Sequence, residues 1–573
     1  MKKRKKRFLV VLIPMILIVI VAAVTLGVPL YQKYSYGTER ADLGEHYGVS
    51  GDMSAIILQN DQLPRQALVR DGRCYFDMDT VKAYLTEGFF YDGNYNGGCL
   101  MYTTAKETYE VCDGATSYSV SGVMTDLGFP LTLRENDRLY VSSDYLRMFA
   151  TFTVDIYDKH VQLYTEWGNT HEMRTVIKDT WIREKGGIKS PILRDVEKGE
   201  TVELIEAMEE WSKVKTSDGI IGYIENKRMS ITEPYVDMAP AAPALPEYTS
   251  VRLDTKVDLG FHPVYGVAGN DTLGEALSEA VGMNVIAPTW ISLTDNEGSF
   301  RNFGTAEYVN RAHQSGVRVW AVVDNFNYAN ENGIDIDETY LLSDTPRRRQ
   351  LASDLVAAVT AIGADGINFD FEGIPEESGV YFVQFLREIS VLCRQSGLCL
   401  STDNYVPYEF NSFYRLDLQG QFVDYVLIMG YDEHYPSGGV AGSVASIGFV
   451  QNGLNMTLAK VPSQKIINAV PFYTVLWTTR DGQTSGQYIT LVNQADFLAR
   501  VGQTPAWDDE TAQNYVEWRE GTTLYQLWLE DTQSITAKLN VMNTMDLGGV
   551  GAWRIGYGNA DVWNLLRLYT YGQ

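Results

Sequence analysis

The stretch that decides the fold runs from residue 365 to residue 372 and reads Asp365-Gly366-Ile367-Asn368-Phe369-Asp370-Phe371-Glu372. Polar and apolar residues alternate along it, and successive side chains of a β-strand point to opposite faces. The alternation predicts a strand with Asn368, Asp370 and Glu372 on one face. Carboxylates two residues apart repel each other and lose hydration, so the pKa of at least one should rise, as suits a general acid.

Seven other apolar runs, separated by helical patterns, accompany this strand in the C-terminal half. The eight candidates begin at residues 257, 285, 317, 366, 398, 423, 466 and 550. Strands that alternate with helices imply a parallel sheet, and eight such units predict a (β/α)₈ TIM barrel. The stretch 483–535 is too long for a loop and is predicted to be an α+β insertion between the last two strands.

A barrel places the two acids where such folds carry their chemistry. Asp370 and Glu372 would point inward, and Glu372 would lie at the carboxyl end of its strand, the face that holds TIM-barrel active sites. The structural alternative is that buried Arg or Lys side chains neutralise these acids. No basic residue lies on this strand, so the pattern favours a catalytic site.

The same stretch resembles the D-G-x-D-x-D-x-E signature of glycoside hydrolase family 18, the chitinase-like barrels. Two further matches follow in the expected order: Met429-Gly430-Tyr431-Asp432 at the end of the sixth strand, and Trp553 at the end of the eighth. Residues 250–573 are most similar to the peptidoglycan-acting subgroup related to spore-cortex-lytic N-acetylglucosaminidases. The resemblance implies a glycosidase.

Within the family, the substrate's own acetamide attacks the anomeric carbon, and the anomeric configuration is retained. The resemblance implies that Glu372 protonates the glycosidic oxygen and later deprotonates water. Asp370 would hold the acetamide N–H, and Tyr431, aided by Asp432, would bind its oxygen. Trp553 would form the apolar floor beneath the sugar. For Tyr431 and Trp553, a purely structural role in the core is the alternative.

Three further residues are candidates for substrate binding: Asn368, Tyr473 and Trp290. Asn368 is also a departure from the signature, which has an acid there. In chitinases that acid is a partner of the residue equivalent to Asp370. An amide can form hydrogen bonds but cannot share a proton, so the departure weakens the expectation of chitinase-like turnover more than that of hydrolysis.

The N-terminal segment predicts a membrane anchor. Six cations, Lys2 to Arg7, precede an uncharged run that reaches about residue 30, and about twenty apolar residues cross a bilayer. The cations favour a cytoplasmic tail and place the remaining domains outside the cell. A cleaved signal peptide, which would make the protein secreted, is the alternative.

Between residue 30 and the barrel the sequence predicts four segments. Residues 31–47 are a polar stalk, and 48–168 are an α+β stalk module that loosely resembles the N-terminal domain of copper amine oxidase, without copper ligands. Residues 173–232 resemble the bacterial SH3 domain, a small all-β barrel, which implies binding to wall peptides or a positioning role. Residues 233–250 are a Pro/Ala linker, and the catalytic barrel spans 251–573.

The net charge and the spacing of His and Cys residues limit which partners and cofactors the sequence predicts. The chain carries a net charge of −26, which disfavours nucleic acid as a partner. The six histidines show no ligand spacing, so we expect neither metal nor cofactor. Five cysteines are too few for a disulfide scaffold; a pair among Cys74, Cys99 and Cys112 is possible, and Cys393 and Cys399 are equally compatible with buried thiols.

These observations leave three hypotheses for function. The first is a cell-surface hydrolase that cleaves β-1,4 bonds next to N-acetylglucosamine in peptidoglycan. The second is a chitinase or chito-oligosaccharide hydrolase. The third is a non-catalytic glycan-binding barrel, which would be expected to have lost Glu372; because Glu372 is present, catalysis is favoured.

Overall fold

The computed structural model describes residues 14–572, so the basic tail and the start of the predicted anchor lie outside the described residues. The chain divides into two compact units. One contains the described residues up to 245, apart from 90–110 and 119–123. The other contains those two segments and everything from 246 onward.

The second unit contains a closed barrel of eight parallel strands, which confirms the predicted fold. The strands are β1 Val257–His262, β2 Val285–Pro288, β3 Arg318–Asp324, β4 Gly366–Asp370, β5 Cys399–Tyr405, β6 Tyr425–Met429, β7 Ile466–Pro471 and β8 Gly549–Trp553. Each pairs in parallel with the next, and β8 pairs with β1 to close the barrel.

Helices follow the strands around the outside. The principal ones are Leu273–Glu279, Ala306–Gln314, Thr345–Ala361, Gly379–Ser396, Leu416–Phe422, Ile447–Leu458, Thr532–Thr544 and Ala560–Tyr571. Two short helices, Asn327–Asn332 and Glu338–Ser343, lie between β3 and Thr345. Alternate strand residues supply the two apolar layers. For example, Val257, Leu259 and Phe261 of β1 belong to the cluster inside the barrel, whereas Ile367 and Phe369 of β4 belong to the cluster beneath the helices.

An α+β insertion separates β7 from β8, as predicted. Its antiparallel sheet consists of Tyr473–Arg480, Gln483–Thr490, Ala506–Asp508, Gln513–Glu520 and Thr523–Leu529, with the helix Leu491–Val501. The sheet starts at Tyr473 rather than at 483. Only Phe472 separates it from β7, so the sequence has no turn signal at that boundary.

Residues 90–110 pack against two helices of the barrel. Thr345 Oγ1 donates to Asp92 Oδ2 at 2.7 Å, and Arg349 forms an ion pair with Glu110 at 2.6 Å. Arg394 Nη1 also donates to the Ala105 carbonyl at 3.4 Å. The barrel unit is therefore completed by a segment that precedes it by about 150 residues in the chain.

The first unit contains the bacterial SH3 region. Its strands are Thr170–Val176, Thr180–Arg183, Ile192–Val196, Thr201–Glu206, Trp211–Lys215, Ile221–Glu225 and Met229–Val236, and they form one antiparallel sheet. Val176, Ile182, Val202, Val214 and Ile224 are buried in its core.

The same unit contains a mixed seven-stranded sheet. Its strands are Met53–Leu58, Asp61–Arg70, Arg73–Asp77, Thr132–Glu135, Arg138–Ser142, Thr153–Ile156 and His160–Tyr164. Two of these strands lead directly into short helices, Met78–Tyr84 and Ser143–Leu146. Five further strands lie in the stretch 89–126, parts of which belong to the second unit: Phe89–Asp92, Cys99–Thr103, Thr108–Cys112, Ser117–Val120 and Val123–Asp126.

The N-terminal helix and the cysteines complete the description. Within residues 14–572, one helix, Pro14–Tyr34, is long and apolar enough to cross a membrane, a property that signal anchors and signal peptides share. Cys99 and Cys112 are disulfide-bonded, whereas Cys74, Cys393 and Cys399 are buried thiols.

Asp258 on β1 generates a prediction about stability. It is fully buried, neither carboxyl oxygen has a hydrogen-bond partner among residues 14–572, and burial raises its pKa to about 8. The unfolded carboxyl ionises near pH 4, so the folded protein loses stability as the pH rises from about 4 to about 8.

We expect Asp258→Asn to remove this pH dependence. The free energy of unfolding of the variant relative to wild type should increase between pH 5 and pH 8 by about 3–4 kcal/mol, because the folded wild type holds one extra proton over most of this range and each pH unit then changes its stability by about 1.4 kcal/mol. Thermal unfolding at the two pH values measures it, with the exposed Asp254→Asn as control. An identical difference at both pH values would contradict the assignment.

Candidate active site

A cavity of about 240 Å³ lies at the carboxyl ends of the barrel strands. It is lined by residues that end these strands or follow them: Phe261, Pro263, Tyr265, Thr289, Val322, Phe326, Asn327, Asp370, Glu372, Asp403, Tyr405, Met429, Tyr431, Asp432 and Trp553. Five of the eight predicted site residues belong to this lining. The lining includes four carboxylic acids but no Lys or Arg, so no cation of the lining neutralises them.

Glu372 follows β4, and its main chain is held by the side-chain amide of Asn325. The Glu372 N–H donates to Asn325 Oδ1 at 3.0 Å, and Asn325 Nδ2 donates to the Glu372 carbonyl oxygen at 2.8 Å. The same Nδ2 donates to Oε1 of the buried Glu338 at 2.6 Å. Because the amide contacts both main-chain groups, it fixes the backbone from which the Glu372 side chain projects.

The environment of the Glu372 carboxyl favours its protonated form. Burial raises its pKa, and the negative charges of Asp432 and Asp324 act in the same direction. The Tyr405 hydroxyl, which donates to Glu372 Oε2 at 2.8 Å, lowers the pKa and so opposes them. A raised pKa extends the pH range in which this carboxyl can donate a proton.

Two further acids of the cavity, Asp370 and Asp403, are more buried than Glu372 and lie on adjacent strands. Asp370 ends β4 and Asp403 lies on β5, and their exposed fractions are 7% and 5%. Burial raises the pKa of both carboxyls well above the ordinary range, and the charge of Asp403 adds to the effect on Asp370. Two such groups cannot both ionise without a large loss of solvation free energy.

Asn368 lies beneath the cavity rather than in its lining. Its Nδ2 donates to Asp403 Oδ2 at 2.6 Å, and its Oδ1 accepts from Ser401 Oγ at 2.6 Å. The side chain is completely buried. Its contacts place it as a support for Asp403, and the structure does not bring it to the surface that a substrate would touch.

The end of β6 delivers Tyr431 and Asp432 to the cavity. A Cβ at Gly430 would lie 2.5 Å from Asn468 Oδ1, so only glycine allows this close approach to β7. Tyr473, the first residue of the insertion, donates from its hydroxyl to Asp432 Oδ1 at 2.6 Å. Burial raises the pKa of Tyr431 well above its ordinary value, so its hydroxyl remains a hydrogen-bond donor at neutral pH.

Trp553 forms one apolar wall of the cavity. It is the last residue of β8, and its ring centroid lies 5.3 Å from that of Phe261 on β1. Both rings line the cavity, which gives it an aromatic surface beside its acids.

Trp290 does not line the cavity, so the structure does not support the predicted substrate-binding role. Its indole is buried, donates from Nε1 to Asn270 Oδ1 at 2.9 Å, and packs against Tyr308. The neighbouring Thr289 lines the cavity instead. Trp290 follows the end of β2 at Pro288, where the regular alternation of faces stops.

The sequence analysis missed Asp403, Tyr405 and Asn325. Asp403 and Tyr405 carried only a weak signal: they share a face with Ser401 in Cys399-Leu400-Ser401-Thr402-Asp403-Asn404-Tyr405, but Thr402 and Asn404 on the other face are polar. This is the same period that identified the acids of β4. Asn325 carried no such signal, since it follows β3 in an irregular segment.

The hydrogen bond from Tyr405 generates a prediction about Glu372. We expect Tyr405→Phe to raise the pKa of Glu372, because the variant removes a donor that stabilises the carboxylate. Titration of ¹³C-labelled glutamate carboxyls by NMR measures the shift. The matched control is Tyr265→Phe, at an exposed residue of the same cavity. A pKa that stays constant or falls in Tyr405→Phe would refute this role of the hydroxyl.

Comparison with known proteins places these elements in families. Residues 281–558 match the family described as Glycosyl hydrolases family 18, and residues 180–230 match the Bacterial SH3 domain. A cortical fragment-lytic enzyme of Bacillus anthracis is 30% identical over 275 residues, which are 46% of this chain and 62% of that protein. The uncharacterized glycosylase YvbX of Bacillus subtilis (strain 168) is 24% identical over 305 residues, 50% of this chain and 85% of that protein.

Among solved structures, the spore cortex-lytic enzyme SleL of Bacillus cereus superposes with a TM-score of 0.49 and 22% identity, covering 58% of this chain and 77% of that one. The match to the family model and the sequence relatives confirm the resemblance that residues 365–372 first suggested. Residues 281–558 therefore form a domain of the Glycosyl hydrolases family 18, and residues 180–230 form a bacterial SH3 domain.

Proposed function

We propose that this protein is a retaining, substrate-assisted glycosidase that cleaves β-1,4 bonds next to N-acetylglucosamine in peptidoglycan. The observation that carries the proposal is the position of Glu372, a carboxyl with a raised pKa at the mouth of a cavity without cations. The peptidoglycan substrate is supported by relatives whose names describe cortical fragment lysis.

Glu372 is the general acid of the proposed reaction. Its raised pKa keeps a proton available to the glycosidic oxygen. The two hydrogen bonds from Asn325 to the Glu372 main chain fix the direction from which the carboxyl approaches that oxygen. After the leaving group departs, the same carboxylate accepts a proton from water. One residue thus serves both half-reactions, which is consistent with retention of configuration.

Asp370 lines the same cavity, but the proposal does not make it the nucleophile. Asp370 is buried, and its raised pKa disfavours the anionic form that would attack a sugar carbon. In the proposal, the nucleophile that attacks the anomeric carbon is the acetamide oxygen of the substrate. Asp370 binds the acetamide N–H and Tyr431 donates to its oxygen, while Trp553 and Phe261 supply the apolar surface under the ring.

The test replaces Glu372 by Gln in the full chain. The full chain is needed because residues 90–110 pack against the barrel helices. Wild type should release reducing ends from peptidoglycan faster than from chito-oligosaccharides. Glu372→Gln should lose at least about two orders of magnitude in kcat, the range of general acid–base catalysis. The control is Glu377→Gln, at an exposed residue after the same strand.

Each outcome separates the hypotheses. Preference for chito-oligosaccharides would support a chitinase, and binding of glycan without hydrolysis would support a non-catalytic barrel. Equal activity of Glu372→Gln and wild type would remove Glu372 from the mechanism. Proton NMR of the first product should show the β-anomer, and glycan stripped of its N-acetyl groups should not be cleaved; an α-anomer would contradict substrate assistance.

We also propose that the helix Pro14–Tyr34 anchors the protein in the cell membrane, with the SH3 domain and the barrel on the outer side. The apolar character of the helix and the cations that precede it in the sequence support this proposal. N-terminal sequencing of the protein recovered from membranes should find the segment before residue 30 intact. A mature protein that begins near residue 30 and is recovered from the medium would instead establish a signal peptide.

A further inference from the structure

Two acids, Asp370 and Asp403, and the amide of Asn368 meet where β4 and β5 lie side by side. The two strands pair in parallel with Gly366 opposite Cys399 and Phe369 opposite Thr402. The next pair in this register is Asp370 and Asp403. Neighbouring strands are about 4.8 Å apart, and both side chains point into the cavity. Position 368 carries an amide instead of an acid, but the adjacent strand places an acid, Asp403, directly beside Asp370.

The hydrogen bonds of this cluster leave one oxygen of each acid unsatisfied. Asp403 Oδ2 accepts from Asn368 Nδ2, but Asp403 Oδ1 is buried without a partner among residues 14–572. Asp370 Oδ1 is likewise buried, and the described part of the chain offers it no donor. Unsatisfied buried oxygens are costly, and one proton held between two carboxyls would satisfy both.

We propose that Asp370 and Asp403 share one proton, and that Asp403 is the positioning residue that replaces the acid absent at Asn368. The pair then carries a single negative charge. Ser401 orients the Asn368 amide, and this amide holds the Asp403 carboxyl beside Asp370 through a hydrogen bond to Oδ2. The catalytic meaning of this pair rests on the function proposed above, whereas the shared proton does not.

Electrostatics support the assignment from every side of the cluster. The charge of Glu372, which follows β4, raises the pKa of both acids, and that of Asp324 on β3 raises the pKa of Asp370. Asp432 after β6 lines the same cavity, and the Tyr405 and Tyr431 hydroxyls are neutral. No Lys or Arg belongs to the described lining of this cavity. Like charges on neighbouring carboxyls raise one macroscopic pKa of the pair, in agreement with the raised pKa of both acids.

In the proposed reaction the shared proton changes position without leaving the pair. When the substrate acetamide arrives, the proton moves fully to an Asp403 oxygen, and Asp370 becomes the anion that accepts the acetamide N–H. No bond to carbon forms or breaks in this step, and the charge of the pair stays at −1. The anion then lies beside the positive charge that develops on the acetamide-derived ring.

A direct test measures protonation rather than activity. Infrared difference spectra between pH values, recorded on the full chain with ¹³C-labelled aspartate, follow the carboxyl groups of wild type, Asp370→Asn and Asp403→Asn. In wild type one proton of the pair should be lost at high pH. In either single variant the remaining acid should titrate at least one pH unit lower, because its charged neighbour is gone.

A double variant that exchanges the acid and the amide tests whether the effects of Asp403→Asn arise only from misfolding. The double variant Asn368→Asp/Asp403→Asn moves the acid back to position 368, two residues from Asp370 on the same face of β4. We expect it to restore the high-pH titration and to recover most of the kcat lost in Asp403→Asn, a loss of about tenfold or more. The control is Asp481→Asn, at an exposed residue of the insertion.

The outcomes are distinct. A pKa of Asp370 that stays within a few tenths of a unit in a folded Asp403→Asn would overturn the shared proton. A wild type that cleaves no glycan, yet shows the coupled titration, would refute the proposed function and leave the proton pair standing. A pH–kcat profile whose alkaline limb moves to lower pH in Asp403→Asn, and returns in the double variant, would support both.

Discussion

The site depends on holding carboxyl groups in a cavity whose described lining offers no cation. Glu372, Asp370 and Asp403 are withdrawn from water by the barrel wall, and negative charges nearby disfavour ionisation further. Such an arrangement is stable only if most of these groups are neutral or share protons. The protonated carboxyl that glycosidic cleavage needs is thus a consequence of where the barrel puts its acids.

The remaining structure serves to keep these groups in place. Asn325 binds both main-chain groups of Glu372, and the buried Glu338 holds the amide of Asn325. On the opposite side, Tyr473 fixes Asp432. Tyr473 is the first residue of the α+β insertion. The insertion therefore contacts the site through this hydrogen bond and through the packing of the Tyr473 ring against Tyr431.

Much of this could be predicted from the sequence, because strict alternation survives in regular strands. The period-two pattern of residues 365–372 identified the strand, its inward face and its acids, and eight such units identified the barrel. Trp290 was predicted to bind substrate but lies outside the described lining of the cavity, because regular alternation stops at Pro288. Asp403 lay on an equally regular strand, but its importance arises from the register between β4 and β5, and a single sequence does not contain that register.

The amide at position 368 shows how one substitution constrains its neighbours. An amide donates and accepts at once, so Asn368 can accept from the Ser401 hydroxyl while donating to Asp403. A carboxyl at position 368 could do both only when protonated. Asn368 donates to Asp403 Oδ2 and so stabilises negative charge on that oxygen. In the proposal, the other oxygen, Oδ1, then holds the proton shared with Asp370. Under the proposal of a shared proton, the amide does not replace the acid, and Asp403 on the neighbouring strand supplies it.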